Sequence, residues 1–475
     1  MVEIIKYFLL IFFYVKIKIF LIFINMSSRY LELAPQNKSS DNTYAFKKGY
    51  NQLDFRIPEG SHVLDPHSVR LVGDIRFYKT DSSTPADQDL DDTDVLALNN
   101  KLGVYSVINS LIWRSGRTST TISHEKNWNR WCSSYLAITG GLEDSIGHLS
   151  ESALTLPNYK ANKDSVVCKN EKSSFCVPLI CGLLNSGQSI PLTPNTLGSL
   201  DLSVVLESDS QALQVLPADF ENDPNTADYL SAYYELSNVK LVCSVITPPP
   251  DQLSRLLSQK QGAMTYQSIH SFYDTANSNN IQVSMNLGLS KVKSLFINMI
   301  ASDKLNNIGA DGFATLPPTN LDGTQASVEK LTFLRGGTIF PKMFPRNTNV
   351  KETTNTAVYD PILFRDYIQA VSKYDHNRHN LGGLTNANRG WLSKVATGGV
   401  NKGVPYQLVQ NGGVFFGVGL NYDNYLNGTG VDLKEQTFGL SMECDLTSSN
   451  AQSIFLFVNA ESTILYNESG VQLIN

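Results

Sequence analysis

Apolar and polar residues alternate with a period of two in many segments of this chain, and those segments fall into two stretches of similar length. Ile281, Val283, Met285, Leu287 and Leu289 interleave with Gln282, Ser284, Asn286, Gly288 and Ser290, which marks a strand with one buried and one wet face. Residues 53–57 and 69–77 alternate in the same way, with Pro58-Glu59-Gly60 and Asp65-Pro66 as breaks. Further strands are predicted at residues 105–113, 174–184, 200–206 and 236–246. In the second stretch they fall at 281–289, 292–300, 331–334, 413–421, 438–445, 453–458 and 463–466. Between the stretches stands Thr247-Pro248-Pro249-Pro250. Three prolines cannot donate to a ladder and each fixes its own φ, so they predict a stiff joint.

Helical spacing is rare. Residues 251–260 read as a short helix, capped by Asp251, with Leu253, Leu256 and Leu257 on one side and Gly262 at its stop. A second begins at Asp360-Pro361 and places Leu363, Tyr367, Ala370, Val371 and Tyr374 on one face. A shorter one is expected near residues 227–233, inside an insertion at 211–234. Each half is thus a set of short strands interrupted late by a helix-bearing loop, with no residue-level repeat between them. Residues 27–47 read as a polar arm, and residues 80–94 as an acidic loop.

A length of 475 residues exceeds what one core accommodates and implies two domains of about 200 residues each. Only 17% of residues are charged, in keeping with many strands joined by polar turns. The net charge of −6 argues against a condenser of nucleic acid. Residues 1–25 hold almost nothing but Ile, Phe, Leu, Lys, Tyr and Val. They are near the length of a membrane span, but Lys16 and Lys18 interrupt them and no small-residue cleavage site precedes Met26. The favoured expectation is a true start at Met26; an apolar anchor and a signal peptide are the alternatives. Without that segment's three lysines and one glutamate, the charge of −6 becomes −8. Cys132, Cys168, Cys176, Cys181, Cys243 and Cys444 form no CxxC pair, which fits free thiols in a reducing compartment. In a secreted protein, Cys168 could instead bridge to Cys176 or Cys181, and sequons at Asn37, Asn427 and Asn467 would matter.

A search for chemistry returns little. Phosphate-loop, nucleophile-elbow, HExxH and dinucleotide signatures are missing. His376 and His379 have a spacing that could share a metal, but no further ligand accompanies them and a solvated helix end is the plainer account. Asp87, Asp89, Asp91, Asp92 and Asp94 mimic a calcium loop. That loop lacks its glycine, and Leu98 stands where the closing carboxylate belongs. Trp113, Arg114, Arg117, Lys126, Trp128, Arg130 and Trp131 mix basic and aromatic side chains. Single-stranded nucleic-acid grooves use such interleaving, whereas a half-buried strand with its following loop is the plainer reading. If the segment contacts anything, an acidic neighbouring subunit or an interior phosphate surface is the expected partner. No catalytic, cofactor-binding or metal-ligating residue is assigned, and the chain is expected not to be an enzyme.

Several segments taken together resemble the double jelly-roll major capsid proteins of polinton-like viruses and virophages. They are residues 53–58 leading into 65–73, 103–108 running into 113–116, 175–182 followed by 190–192, and 234–241. The resemblance covers most of residues 27–475 and rests on strand-and-turn patterns, their order and the total length. It implies an all-β fold of two consecutive eight-stranded jelly rolls with short helices in loops. The expected division is a leader or apolar segment (1–25), an arm (26–47), a first jelly roll (48–247), a proline and helix linker (248–264) and a second jelly roll (265–475). It implies a homotrimeric, pseudo-hexagonal capsomer of a double-stranded DNA virus, tiling an icosahedral shell with strands normal to its surface. The implied partners are neighbouring capsomers, penton proteins and minor capsid proteins, with no sequence-specific nucleic acid, no membrane span in the mature protein and no cofactor. The implied location is the virion, after assembly in the host cytoplasm or nucleus. Three readings compete: a carbohydrate-binding or carbohydrate-cleaving β-sandwich, a membrane-anchored surface or adhesion protein, and a minor vertex protein.

Overall fold

The computed structural model describes residues 27–37, 39, 41–80, 87–89, 96–99, 102–139, 152–154, 172–215, 229–278, 280–313, 315, 328–341, 361–372, 418–426, 428, 430–444 and 451–475. Eight main strands build the first half among these residues: β1 (Ser27–Leu33), β2 (Gln52–Ile57), β3 (Val63–Thr80), β4 (Ile108–Ser115), β5 (Thr121–Glu125), β6 (Ser173–Pro178), β7 (Leu200–Leu206) and β8 (Tyr233–Thr247). They form two antiparallel sheets, β1-β8-β3-β6 and β2-β7-β4-β5. Eight more main strands follow: β9 (Gly262–Ala276), β10 (Asn280–Asn286), β11 (Val292–Ala301), β12 (Val328–Arg335), β13 (Thr338–Ile339), β14 (Val418–Asn421), β15 (Thr437–Cys444) and β16 (Gln452–Asn467). Their sheets run β9-β16-β11-β14 and β10-β15-β12-β13. A last strand, β17 (Gly470–Ile474), turns back along β16.

Adding eight to each strand number of the first half reproduces the strand order of the second. Each half is therefore a jelly roll: two facing four-stranded sheets with the chain crossing between them. Because neighbouring strands are antiparallel, the connections after β1, β3, β5 and β7 leave from one end of the sandwich. Those after β2, β4 and β6 leave from the other, and the same holds in the second half. The long connections, residues 81–107, 126–172, 207–232, 302–327 and 340–417, all leave their strands at the first of these ends.

Several expectations change in detail. Residues 27–33 of the arm are not free: they form β1 and pair with Leu241–Thr247 in register. The strand expected at 105–113 starts only at Ile108, after a 3-10 turn over Gly103–Val107. The strand expected at 174–184 stops at Pro178, because proline offers no donor there. The two strands expected at 453–458 and 463–466 are one, β16. Of the short helix expected near residues 227–233, the described residues begin at Tyr229, which closes a 3-10 turn leading into β8. Helix α1 (Trp128–Thr139) was unforeseen. Helix α2 (Pro250–Ser258) has no side-chain cap; Asp251 lies in its first turn, where its charge favours the helix dipole, and none of its residues is buried. Helix α3 (Pro361–Ser372) is present, with Tyr367, Ala370 and Val371 buried as expected. The described residues exclude 1–25, Cys168, His376, His379, Asn427 and most of the acidic loop; of that loop, Asp87–Asp89 pairs with the end of β3.

Candidate functional site: the joint between the sandwiches

The strands of the second half contain runs too apolar for a sheet with one wet face. In β16, Ile454, Leu456 and Val458 pack into the core of their own sandwich. Phe455 and Phe457, between them, point the other way and join the cluster of the first sandwich. β11 divides likewise, with Leu295, Ile297 and Met299 inward and Phe296 and Ile300 outward. A sheet buried on both faces reads as a continuous apolar run, and that was the available signal for the joint.

The first half covers this outer face with α1. Trp128, Trp131, Cys132 and Tyr135 recur at helical spacing and are all buried. Arg130, on the same helix, is 4% exposed. Its guanidinium lies 4.3 Å from the Phe455 ring centre and 5.1 Å from that of Phe313. It donates to the Gly312 carbonyl and, at 2.6 Å, to Gln211 Oε1. Burial pulls its pKa down to about 10, against the opposing pull of Glu207 and Asp311, so it stays charged near neutral pH. Ser134 Oγ donates to Asn298 Oδ1 at 2.8 Å, and Asn298 Nδ2 donates to the Arg130 carbonyl at 3.0 Å. Helix α3 supports the same face from the second half. A Cβ on Gly419 would stand 2.8 Å from Tyr367 Cα, so only glycine lets α3 approach β14 this closely.

At the edges of the joint the contacts are hydrogen bonds. Tyr266 on β9 donates its hydroxyl to the Ile122 carbonyl on β5. Arg117 donates across the joint to the Glu468 carbonyl at 3.1 Å. Asn99 Nδ2 donates to Asp311 Oδ1 at 2.9 Å, and the Val215 amide donates to the Ile308 carbonyl at 2.8 Å. These bonds join like ends of the two sandwiches, so the sandwiches stand side by side in the same sense. Beside the joint lies Glu125, 1% exposed, whose carboxyl accepts from the Gly182 amide at 2.8 Å. Burial raises its pKa well above the ordinary carboxylate value.

The basic and aromatic residues from 113 to 131 therefore do not line a groove. Trp113, Trp128 and Trp131 are buried, Arg130 is consumed by the joint, and Arg114 donates to Ser203 Oγ at 3.0 Å; Lys126 alone of the set is well exposed. The nucleic-acid reading fails because the stacking faces lie in the core. Sequence reasoning missed Tyr266, Phe296, Asn298, Phe313, Phe455 and Phe457. A crevice of about 450 Å³ at the joint is lined by polar side chains of both halves, including Gln188, Lys293, Asp423 and Glu461. Among the described residues, no cluster of three His, Cys, Asp or Glu could hold a metal, and no helix is long and apolar enough to cross a membrane.

Two identically ordered sandwiches fused by a buried joint define a double jelly roll. No protein-family model matches the sequence, and no curated protein matches it. Solved structures do match. The chain is similar to the PBCV-1 virus capsid, with a TM-score of 0.55, 10% identity and coverage of 95% of this chain and 97% of that one. It is similar to the Faustovirus major capsid protein, with a TM-score of 0.56, 9% identity and coverage of 93% and 91%. It is also similar to a chain of the Sputnik virophage, with a TM-score of 0.54, 12% identity and coverage of 94% and 88%. At such identities the likeness speaks for the fold.

Proposed function

We propose that this chain is the major capsid protein of a double-stranded DNA virus. The observation that carries the reading is the pair of topologically identical sandwiches, held side by side in one sense and matched nearly end to end by capsid structures. Three such chains supply six similar sandwiches, which is what a pseudo-hexagonal block needs in order to tile a shell. The buried joint makes each pair rigid, so curvature arises between blocks and not inside them. The strands cross the shell thickness, and the end bearing the long connections faces outward. Neighbouring capsomers, penton proteins and minor capsid proteins are the partners, and the virion is the location. The chain acts as a structural unit without catalysis.

A carbohydrate-binding reading needs aromatic side chains presented together on a concave sheet face. Trp113, Trp128 and Trp131 are buried instead, and Trp391 lies outside the described residues. The test is the native mass of the full chain by light scattering after size exclusion, followed by electron microscopy of the peak. A trimer with a hexagonal outline is the expected result. A stable monomer at every concentration would overturn the proposal, because a shell subunit relies on lateral burial.

A further inference from the structure

One end of the second sandwich carries a charge that nothing in the fold balances. On β12, Leu331 and Phe333 are buried on the inward face, and Arg335 is the next residue on that face. Across the ladder Arg335 pairs with Phe438, which is also buried in the core. The arginine therefore ends a core stripe at the mouth between the two sheets. Its Nε is buried without a hydrogen-bond partner, and among the described residues its guanidinium makes no ion pair. The Phe340 ring centre lies 5.5 Å away, a contact that satisfies none of its N–H groups. A buried donor left unpaired is costly and calls for a partner from outside.

The first sandwich treats the matching position differently. Ser115 follows Leu111 and Trp113 on the inward face of β4 and pairs with buried Leu200. It is fully buried, and its hydroxyl donates to the Leu197 carbonyl at 2.6 Å. A small, satisfied side chain closes that mouth. At the other, a cleft of about 620 Å³ stands open, and its lining includes Arg335, Gly336, Phe340, Glu435, Gln436 and Thr437. Gly336 and Gly337 have φ of +53° and +80°, the positive values that a two-residue hairpin loop demands. A Cβ on Gly337 would meet nothing within 4 Å, so these glycines serve the turn and not a close approach. Gln436 and Thr437 are exposed, and their side chains make no hydrogen bond among the described residues. Glu435 lines the same cleft but forms no ion pair with Arg335.

We propose that this cleft binds a phosphate group, with Arg335 as the charged anchor and Gln436 and Thr437 as flanking donors. A guanidinium engages two oxygens of such an anion at once. The amide and hydroxyl beside it suit the further oxygens that a phosphate has and a carboxylate lacks. The hairpin turn lies at the end of the sandwich opposite the long connections, which faces inward in the shell-subunit reading. There the phosphate comes from a nucleic-acid backbone or from free phosphate. The inference rests on that reading for the source alone. One contact per chain, repeated over a shell, gains by multivalency even though each chain has a net charge of −6.

The probes are inorganic phosphate, acetate and a short fluorescent oligothymidylate, titrated at low salt onto the full chain and two variants. Circular dichroism and thermal melting check the fold of each. Arg335→Gln should weaken phosphate binding about 10-fold or more. It should also lower the salt slope of oligonucleotide binding by about one phosphate contact. Glu435→Gln should tighten binding of both probes, a change that a damaged fold does not produce. Oligonucleotide binding that depends on Arg335 assigns the site to nucleic acid, and Arg335-dependent binding of inorganic phosphate alone assigns it to free phosphate. Acetate binding as tight as that of phosphate, or no effect of either variant on any probe, overturns the proposal. Light scattering on the same samples keeps the two readings apart. A chain that binds through Arg335 yet stays a monomer overturns the shell-subunit reading and leaves the site standing.

Discussion

Phe457 and Leu456 are neighbours on β16 that serve opposite faces of one sheet, so truncating each in turn separates the joint from the core. Phe457 is fully buried on the outer face of its sheet, in the cluster that this face shares with the first sandwich, with its ring 5.2 Å from that of Phe296 on β11. Leu456 is equally buried, but in the core of the second sandwich. Removing a buried phenylalanine costs about 3–5 kcal/mol and removing a buried leucine about 2–5 kcal/mol. The Phe296 ring contact adds about 0.5–1.5 kcal/mol to the first figure. Against a total stability on the order of 5–15 kcal/mol, either loss is large. The two losses differ in place. Phe457→Ala weakens the link between the halves while leaving each core intact, so one unfolding transition should split into two. Leu456→Ala should lower the second sandwich's own transition instead. Scanning calorimetry of both variants reads this directly, with the ratio of calorimetric to van't Hoff enthalpy as the measure of coupling. An unsplit transition in Phe457→Ala, shifted no more than that of a surface variant, would refute the assignment of the outer face to the joint.

Two further outcomes follow from the same geometry. Glu125→Gln keeps the side chain's shape and its bond from the Gly182 amide while removing the titrating proton. The folded Glu125 has a raised pKa, so wild-type stability is full below the ordinary value of 4.5 and falls as pH climbs toward the folded value. The variant should therefore be the more stable of the two near pH 8, with the gap closing near pH 4, both read by urea denaturation; equal stability at both pH values would contradict the burial of an uncharged carboxyl. Deleting residues 27–33 should unfold the first sandwich, because β1 covers seven ladder positions of β8. Near-native circular dichroism and an unchanged melting temperature in that variant would show that the segment is a dispensable arm.

The sequence by itself determined the class of fold. Period-two alternation in residues 53–57, 69–77 and 281–289 marks half-buried strands wherever one face is dry and the other wet. The triple proline separates two such sets because proline cannot continue a ladder. The spacing of Tyr367, Ala370 and Val371 was enough for α3. What the sequence left open is what each buried face is buried against. β1 escaped notice because only Leu31 and Leu33 carry its apolar signal, and its outer residues look like those of a polar arm. α1 was read as strand and loop, because a cluster of tryptophan and arginine looks the same whether it stacks on a base or packs in a core. Phe455 and Phe457 looked like ordinary core positions of a single strand; only the placement of the first sandwich against that sheet turned its outer face into a joint. Periodicity is a local property of one strand, whereas the identity of the covering surface depends on residues hundreds of positions away, and only the assembled chain brings them together.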